Sequence, residues 1–238
     1  MNTRILKAIG LPAIAVVLFL IAGCTVGSKL RTEVESVELG GASFVRVEIE
    51  MGTGKLKVAG GADELMKGNF TYRIASWKPR IDYSISGDEG KLVIQQPETR
   101  HVRVEKIRYE WDLHFNNDVP MDLSVELGAG YNQLNLGSLS LTRLNLSTGV
   151  GEVEVDLTGN RESDLDVNIE AGIGRTTLLL PKNVGVRVKV ERGIGVVNAS
   201  GLKKEGDIYE NEAFGESKVT LHIDIEAGIG EINLELGE

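Results

Sequence analysis

The sequence is poor in residues that hold many exported domains together and that many enzymes use. It has one cysteine, Cys24, which excludes disulfide bonds within the chain. Its three histidines, His101, His114 and His222, are far apart and lack clustered partners at the short spacing of a zinc site. We therefore expect neither a disulfide framework nor a metal centre of this kind.

Catalytic arrangements are also missing from the sequence. The pairs Asp112–His114 and His222–Asp224 each lie on a strand-like segment, but neither has a serine placed beside it as a nucleophile. We interpret both pairs as surface neighbours and predict a non-catalytic protein that needs no cofactor. An open alternative is a glycan-active β-helix enzyme that uses acids and bases in a long insertion at residues 201–217.

Aromatic residues and proline are scarce, whereas glycine is abundant. Aromatic residues make up 5% of the chain, and there are five prolines and 29 glycines. Glycine does not recur at every third position, which excludes collagen, and Val, Ile and Leu alternate with polar residues throughout, which argues against disorder. These features predict a folded, glycine-rich β protein that is long enough to bury a core.

The first residues have the pattern of an export signal. Arg4 and Lys7 precede a short apolar run that ends in Ala22-Gly23-Cys24, which resembles the lipobox of bacterial lipoproteins. The resemblance implies that residues 1–23 are a signal peptide, that Cys24 is lipidated and that the remainder is anchored outside the cytoplasm. A single N-terminal transmembrane anchor is the alternative. Because no aspartate follows the cysteine, the outer membrane is favoured if the cell has one.

The net charge of the chain is acidic. Removing residues 1–23 removes two basic residues and no acidic ones, which takes the formal charge from −9 to −11. An acidic surface argues against nucleic acid and anionic lipid as partners. It is compatible with cations, basic peptides or neutral glycans.

One motif recurs through the chain: alternating apolar residues, then Gly-x-Gly, then further alternation. The first glycines of the last five copies are separated by steps of 21, 23, 21 and 35 residues, and an earlier copy begins at Gly52. Alternation with period two indicates strands, and a near-constant step indicates stacked units. The glycines suit a sharp bend or a close approach of neighbouring backbones. A conventional antiparallel sandwich would also give the alternation.

We predict an all-β fold, a right-handed single-stranded parallel β-solenoid with an N-terminal β-rich capping region. The regions are a signal peptide at 1–23, a tether at 24–36, a β-rich region at 37–119 and solenoid repeats at 120–238. Within a repeat we expect Val167, Ile169, Ile173 and Leu178 to point inward and Glu170 to point outward. The segment 63–67 could be one helical turn or a loop.

Two surface features are candidates for binding. Glutamates stand two residues before the first glycine in five of the six repeats, so in-register stacking would align their carboxylates in a row: Glu50, Glu126, Glu170, Glu191 and Glu226. Such a row could bind a divalent cation or could be an ordinary solvated face. Trp77 precedes Lys78-Pro79-Arg80 in an expected loop, and we predict that it is an exposed contact for a ligand such as a glycan.

Several motifs together resemble a known bacterial family. They are Trp111-Asp112-Leu113, Val119–Leu123, Gly128-Ala129-Gly130, Leu134-Asn135-Leu136 and the ending from Tyr209-Glu210-Asn211 to Ile232. They are similar to the toast-rack family, which is related to the C-terminal domain of LiaF-type envelope-stress regulators and to adhesin-like β-solenoids. The resemblance implies a β-solenoid behind a lipoprotein signal, and it supplies no catalytic residues.

The export signal and the resemblance together predict a membrane-anchored module that presents a β-solenoid for binding or structure at the bacterial envelope. Its partner would be an unidentified envelope protein or a glycan. The alternative is a regulatory protein that acts on a membrane partner, as LiaF does. LiaF proteins have N-terminal transmembrane helices that this chain lacks, so their role does not transfer directly.

Overall fold

The computed structural model of the chain describes residues 29–98 and 108–237. Cys24, the predicted signal peptide and His101 lie outside these ranges. The described residues form strands and one short 3-10 turn, and no helix among them is long and apolar enough to cross a membrane. The strands are β1 (Arg31–Val37), β2 (Phe44–Gly60), β3 (Met66–Tyr72), β4 (Arg80–Ser86), β5 (Glu89–Gln95), β6 (Glu110–Phe115), β7 (Met121–Asn135), β8 (Leu141–Asp156), β9 (Leu165–Leu180), β10 (Gly185–Ser200), β11 (Lys203–Glu205), β12 (Ile208–Glu210) and β13 (Thr220–Leu236).

The long strands share one bent form with Gly-x-Gly at the bend: β2, β7, β8, β9, β10 and β13. In β9 the buried residues before the bend have odd numbers, as in Val167 and Ile169, and those after it have even numbers, as in Leu178 and Leu180. Successive side chains of a strand alternate between faces, so this change of phase keeps both arms facing one core. The predicted all-β solenoid is confirmed.

Glycine at the bend meets both of the requirements that the sequence indicated. The second glycine of the motif has a positive φ in most copies, for example +147° at Gly174 and +134° at Gly151. A Cβ on Gly174 would overlap the carbonyl oxygen of Gly151 on the neighbouring strand. The backbone therefore turns in a way that favours glycine, and the strands stack too closely there for a side chain.

The bent strands stack parallel and in register, but not in chain order. Their order is β2-β7-β8-β9-β13-β10, so the last strand lies between its two predecessors. The insertion at residues 201–217 accounts for this arrangement. Its strand β12 pairs with the first arm of β10 on one side, so β13 pairs with β10 on the other side, next to β9. The buried side chain of Asn211 secures it by accepting a hydrogen bond from Val186 N–H and donating to the carbonyls of Pro181 and Val184.

The N-terminal end of the stack is covered by short strands. β5 pairs with the first arm of β2 and β6 with its second arm, so two short strands take the place of one bent strand. β4 extends the sheet beyond β5, and β3 and β1 extend it beyond β6. Large aromatic side chains are buried under this cap: Phe70, Tyr72, Tyr109, Trp111 and Phe115. The predicted β-rich capping region is therefore present.

The predicted tether across residues 24–36 is wrong at its C-terminal end. Strand β1 begins at Arg31 and pairs antiparallel with β3 along its whole length. Glu33 and Glu35 lie on the half-buried face of β1, where both contact Lys78, and they alternate with exposed residues such as Val34, so the segment has strand periodicity. No helical turn forms at 63–67, where a bend leads into β3.

We expect Gly174→Ala to destabilise the protein by about 2 kcal/mol or more. The alanine would be strained at a positive φ, and its Cβ would overlap the carbonyl oxygen of Gly151. Thermal unfolding should show a decrease in Tm of at least about 5 °C for a chain of this size. The matched control is Gly41→Ala, where an added Cβ meets no atom within 4 Å. Equal effects of the two substitutions would contradict the stacking argument.

Candidate binding surface

The side chain between the two glycines of each bend points outward. Val150, Ile173, Ile194 and Ile229 are 55%, 54%, 73% and 49% exposed, respectively. The prediction that Ile173 points inward is therefore wrong. The inward positions shift from odd to even residues across the bend of β9, which leaves the residue between the glycines on the outer side of the corner.

These four aliphatic residues form a continuous row across neighbouring strands. The register pairs Val150 with Ile173, Ile173 with Ile229, and Ile229 with Ile194. At the usual spacing of about 4.8 Å between strands, the row is about 14 Å long. We call Val150, Ile173, Ile229 and Ile194 the corner ridge. The apolar surface of the corner ridge is exposed to water in the isolated chain. A contiguous exposed apolar surface of this kind is typical of a site that a partner binds.

The predicted row of glutamates lies beside the ridge. The register aligns it as Glu50, Glu126, Ser147, Glu170, Glu226 and Glu191, in that order. We call the three glutamates next to the ridge, Glu170, Glu226 and Glu191, the carboxylate row. The predicted in-register stacking of these residues is confirmed, although the last two strands exchange places.

Only part of the carboxylate row is neutralised. Lys189 Nζ lies 2.6 Å from Glu191 Oε1, and this hydrogen bond lowers the pKa of the Glu191 carboxyl. Among the described residues, neither Glu170 nor Glu226 forms an ion pair or a side-chain hydrogen bond. Like charges at adjacent positions of a sheet repel each other. A cationic group from outside would relieve that repulsion.

The opposite flank of the ridge is already paired. Arg175 contacts Glu152 at 3.2 Å and Glu231 at 3.1 Å on the two neighbouring strands. The hydrogen bond with Glu231 is the main reason that the pKa of the Arg175 guanidinium is raised. The surface around the ridge is therefore asymmetric, with a negative flank on one side and a neutralised flank on the other.

A shallow depression of about 580 Å³ adjoins the carboxylate row, and Arg192 also lines it. Ala171 and Ala227 lie along it, and Glu170 and Glu226 border it. No group of three or more His, Cys, Asp or Glu side chains in the described ranges is arranged to hold a metal ion. The surface is suited to non-covalent contact with aliphatic and cationic groups.

Trp77 does not lie where the sequence suggested. Its side chain is buried, with 4% of its surface exposed, and it packs edge-on against Tyr109 with ring centroids 6.0 Å apart. The Tyr109 hydroxyl donates a 2.8 Å hydrogen bond to the Trp77 carbonyl, and burial raises the pKa of that hydroxyl. The 3-10 turn Ala75–Trp77 directs the ring into the cap, so the prediction of an exposed ligand contact is wrong.

The other polar candidates have structural contacts. His114 bonds to the carbonyl of Gly60 through Nδ1 at 3.1 Å, and its Nε2 lies 3.4 Å from Asp112. In the insertion, Lys204 lies over the ring of Tyr209 at 5.2 Å. The contacts of His114 with Gly60 and of Lys204 with Tyr209 join neighbouring strands.

Comparison with known proteins gives the same family that the motifs suggested. Residues 26–179 match the family model described as the N-terminal domain of toast_rack, DUF2154. This match covers more than half of the chain. The chain belongs to the toast-rack family. Residues 129–234 also match the model described as cell wall-active antibiotics response LiaF, C-terminal.

One solved structure agrees with this assignment. A crystal structure of a candidate cell adhesion protein from Clostridium sporogenes is 39% identical to this toast-rack chain, with a TM-score of 0.85 over 88% of this chain and 100% of that one. A candidate adhesin from Bacteroides fragilis is 14% identical over 87% of this chain and 97% of that one, and its TM-score of 0.34 is too low to support an argument. A search of curated proteins gives no match. These similarities fit a non-enzymatic module of the cell envelope.

The burial pattern of this toast-rack chain gives a direct test of which residues form the ridge. Leu178 is fully buried, so we expect Leu178→Ala to cost about 2–5 kcal/mol of stability. Ile173→Ala, five residues earlier on the same strand, should change stability by no more than about 0.5 kcal/mol. Denaturant unfolding measures both values. A large loss for Ile173→Ala would contradict its placement on the ridge.

Proposed function

We propose that the mature chain is a lipid-anchored, non-catalytic binding module of the bacterial envelope, and that the corner ridge and the carboxylate row contact its partner. The partner is an envelope protein that presents aliphatic side chains next to lysine or arginine. The observation behind this proposal is the exposed row of Val150, Ile173, Ile229 and Ile194 alongside unpaired glutamates. The aliphatic side chains contribute apolar area, and the carboxylates favour a basic partner.

A regulatory role is the second candidate function. It is supported by the match of residues 129–234 to the C-terminal region of LiaF proteins, because this segment contains the whole corner ridge. In this case the same surface would bind a membrane protein of an envelope-stress system. Display for adhesion and regulation differ in the identity of the partner, and the same experiment separates them.

A photo-crosslinking amino acid at position 229 tests the binding surface in intact cells. We expect one envelope protein to be captured reproducibly from this position. The matched control is position 85, because Ile85 is similarly exposed, at 42% against 49% for Ile229, but lies on β4 at the other end of the sheet. Capture of the same set of molecules from both positions, or of none from position 229, would contradict the proposal that the corner ridge is the binding surface.

Charge reversal tests the predicted chemistry of that partner. Glu226→Lys should reduce the crosslink from position 229 by about tenfold, since a change of two charge units next to a basic group removes a favourable contact. Glu235→Lys, an equal change on an exposed residue in the second arm of β13, should leave the yield within about twofold. If position 229 crosslinks to a glycan and neither substitution alters the yield, the partner is a carbohydrate and not a protein.

Lipidation of Cys24 is tested by labelling cells with a palmitate analogue. The wild-type chain should incorporate the label and lack residues 1–23, whereas Cys24→Ala should remain unlabelled because the chain then has no thiol to modify. Thr25→Ala should be labelled like the wild type. An unlabelled wild-type protein that retains residues 1–23 would indicate a transmembrane anchor.

A further inference from the structure

One arm of the sheet ends without a neighbouring strand. The first arm of β10 pairs with β12 at residues 187–189, but residues 194–200 pair only with β13 within the described ranges. We call residues 194–200, with the sequence Ile-Gly-Val-Val-Asn-Ala-Ser, the open arm. An unpaired edge presents free N–H and C=O groups to any strand that can approach it.

The direction of the backbone groups follows from the hydrogen bonds of the first arm. Val186 and Val190 have inward side chains, and their N–H groups donate toward the β12 side, to Asn211 Oδ1 and the Asp207 carbonyl at 2.9 Å each. Side-chain direction and hydrogen-bonding direction both alternate with period two. Inward residues of β10 therefore direct their backbone groups away from β13.

The same rule holds beyond a bend. In β2, inward Leu56 follows the bend and donates its N–H to Asn132 on the following strand of the stack. In the open arm, Val197 and Ala199 occupy the inward positions. Their N–H and C=O groups are therefore directed to the free edge.

Three other edges of the sheet contain charged residues that discourage strand pairing. β1 has Arg31, Glu33 and Glu35, β4 has Arg80 and Asp82, and β11 has Lys203, Lys204 and Glu205. The open arm has none, and the chain from Gly193 to Leu202 is uncharged. Its outward side chains include Ile194 and Val196, at 73% and 55% exposure.

We propose that the open arm pairs with the open arm of a second copy of this chain, antiparallel and about a two-fold axis. Two copies of an acidic protein repel each other over most of their surface, but along this arm they meet without a like-charge contact. A two-fold axis at Val197 places Val197 opposite its counterpart and Gly195 opposite Ala199, which are the residues with edge-directed backbone groups. About six backbone hydrogen bonds form in this register.

Side chains also match in this register. On the outward face Ile194 lies opposite Ser200 and Val196 opposite Asn198, so no charge is buried. On the inward face Val197 and Ala199 border an open depression of about 790 Å³ together with Leu234 and Leu236, and Lys182 and Glu235 also line it. The second copy brings equivalent apolar residues to this depression, so pairing covers the end of the core that β12 leaves open.

The location of the open arm determines which ends of the two chains meet. β1 and β10 are separated by eight strand spacings in the sheet order, or about 40 Å. The pairing therefore joins two chains at the ends that are distant from β1. If the N-terminus carries the proposed lipid anchor, on which this step alone rests, the two anchors lie at opposite ends of the pair, as for chains on facing membranes.

The test uses residues 24–238 with Cys24→Ser, which contain the whole described sheet and no other cysteine. Sedimentation equilibrium should show a concentration-dependent dimer. Ala199→Pro should weaken it about tenfold or more, because symmetry removes two N–H donors from the interface while no bond to β13 is lost. A monomer at all concentrations overturns this proposal. It does not affect the proposed roles of the lipid anchor and the corner ridge, which do not depend on the dimer.

One matched pair of variants locates the interface. Val196→Lys should weaken the dimer about tenfold, whereas Val150→Lys, at a residue of the same 55% exposure on the interior strand β8, should stay within about twofold. Equal weakening by both overturns the assignment to the open arm.

An engineered cysteine tests the register. The Cα atoms of a hydrogen-bonded antiparallel pair are about 5.5 Å apart, which is within the range for a disulfide. Val197→Cys should therefore form a linked dimer on mild oxidation, and Val150→Cys should remain monomeric on the same gel. Failure of Val197→Cys to crosslink while its thermal unfolding is unchanged excludes the two-fold axis at this residue.

Discussion

The structure depends on the in-register backbone ladder that joins the bent strands. Each bent strand except β10 hydrogen-bonds to strands on either side along both arms, and the contact is closest at the bends, where glycines face the carbonyl oxygens of the adjacent strand. A parallel ladder of this kind fixes which residue lies beside which. Burial of Leu178, the exposure of Ile173 and the alignment of the glutamates all follow from that one register.

A repeated register turns individual residues into rows. One exposed isoleucine on a protein surface is unremarkable in energetic terms, but four aliphatic side chains at strand spacing make a continuous apolar strip. The same repetition aligns Glu170, Glu226 and Glu191 into a strip of negative charge. Binding surfaces in such a fold are built from rows, so a partner would be recognised by the chemistry of a strip and by its length.

The two ends of the stack are treated differently. Aromatic residues and charged edge strands close the N-terminal end, where Lys78 lies within 2.9 Å of both Glu33 and Glu35. At the other end the insertion covers only the first arm of β10. The asymmetry separates a closed end from an end whose backbone groups are unpaired among the described residues.

The sequence by itself determined the strands, the bends and the in-register alignment of the glutamates, because alternation with period two and repeated Gly-x-Gly are local patterns that depend on backbone sterics. It also contained the signal for the corner ridge, an aliphatic residue between the two glycines in the last four copies. Only the tertiary structure decided that Ile173 points outward, because the direction of that side chain depends on the shift of phase between the two arms. The burial of Trp77, the start of β1 at Arg31 and the place of β13 between β9 and β10 were likewise decided by packing between residues distant in sequence, which no local pattern records.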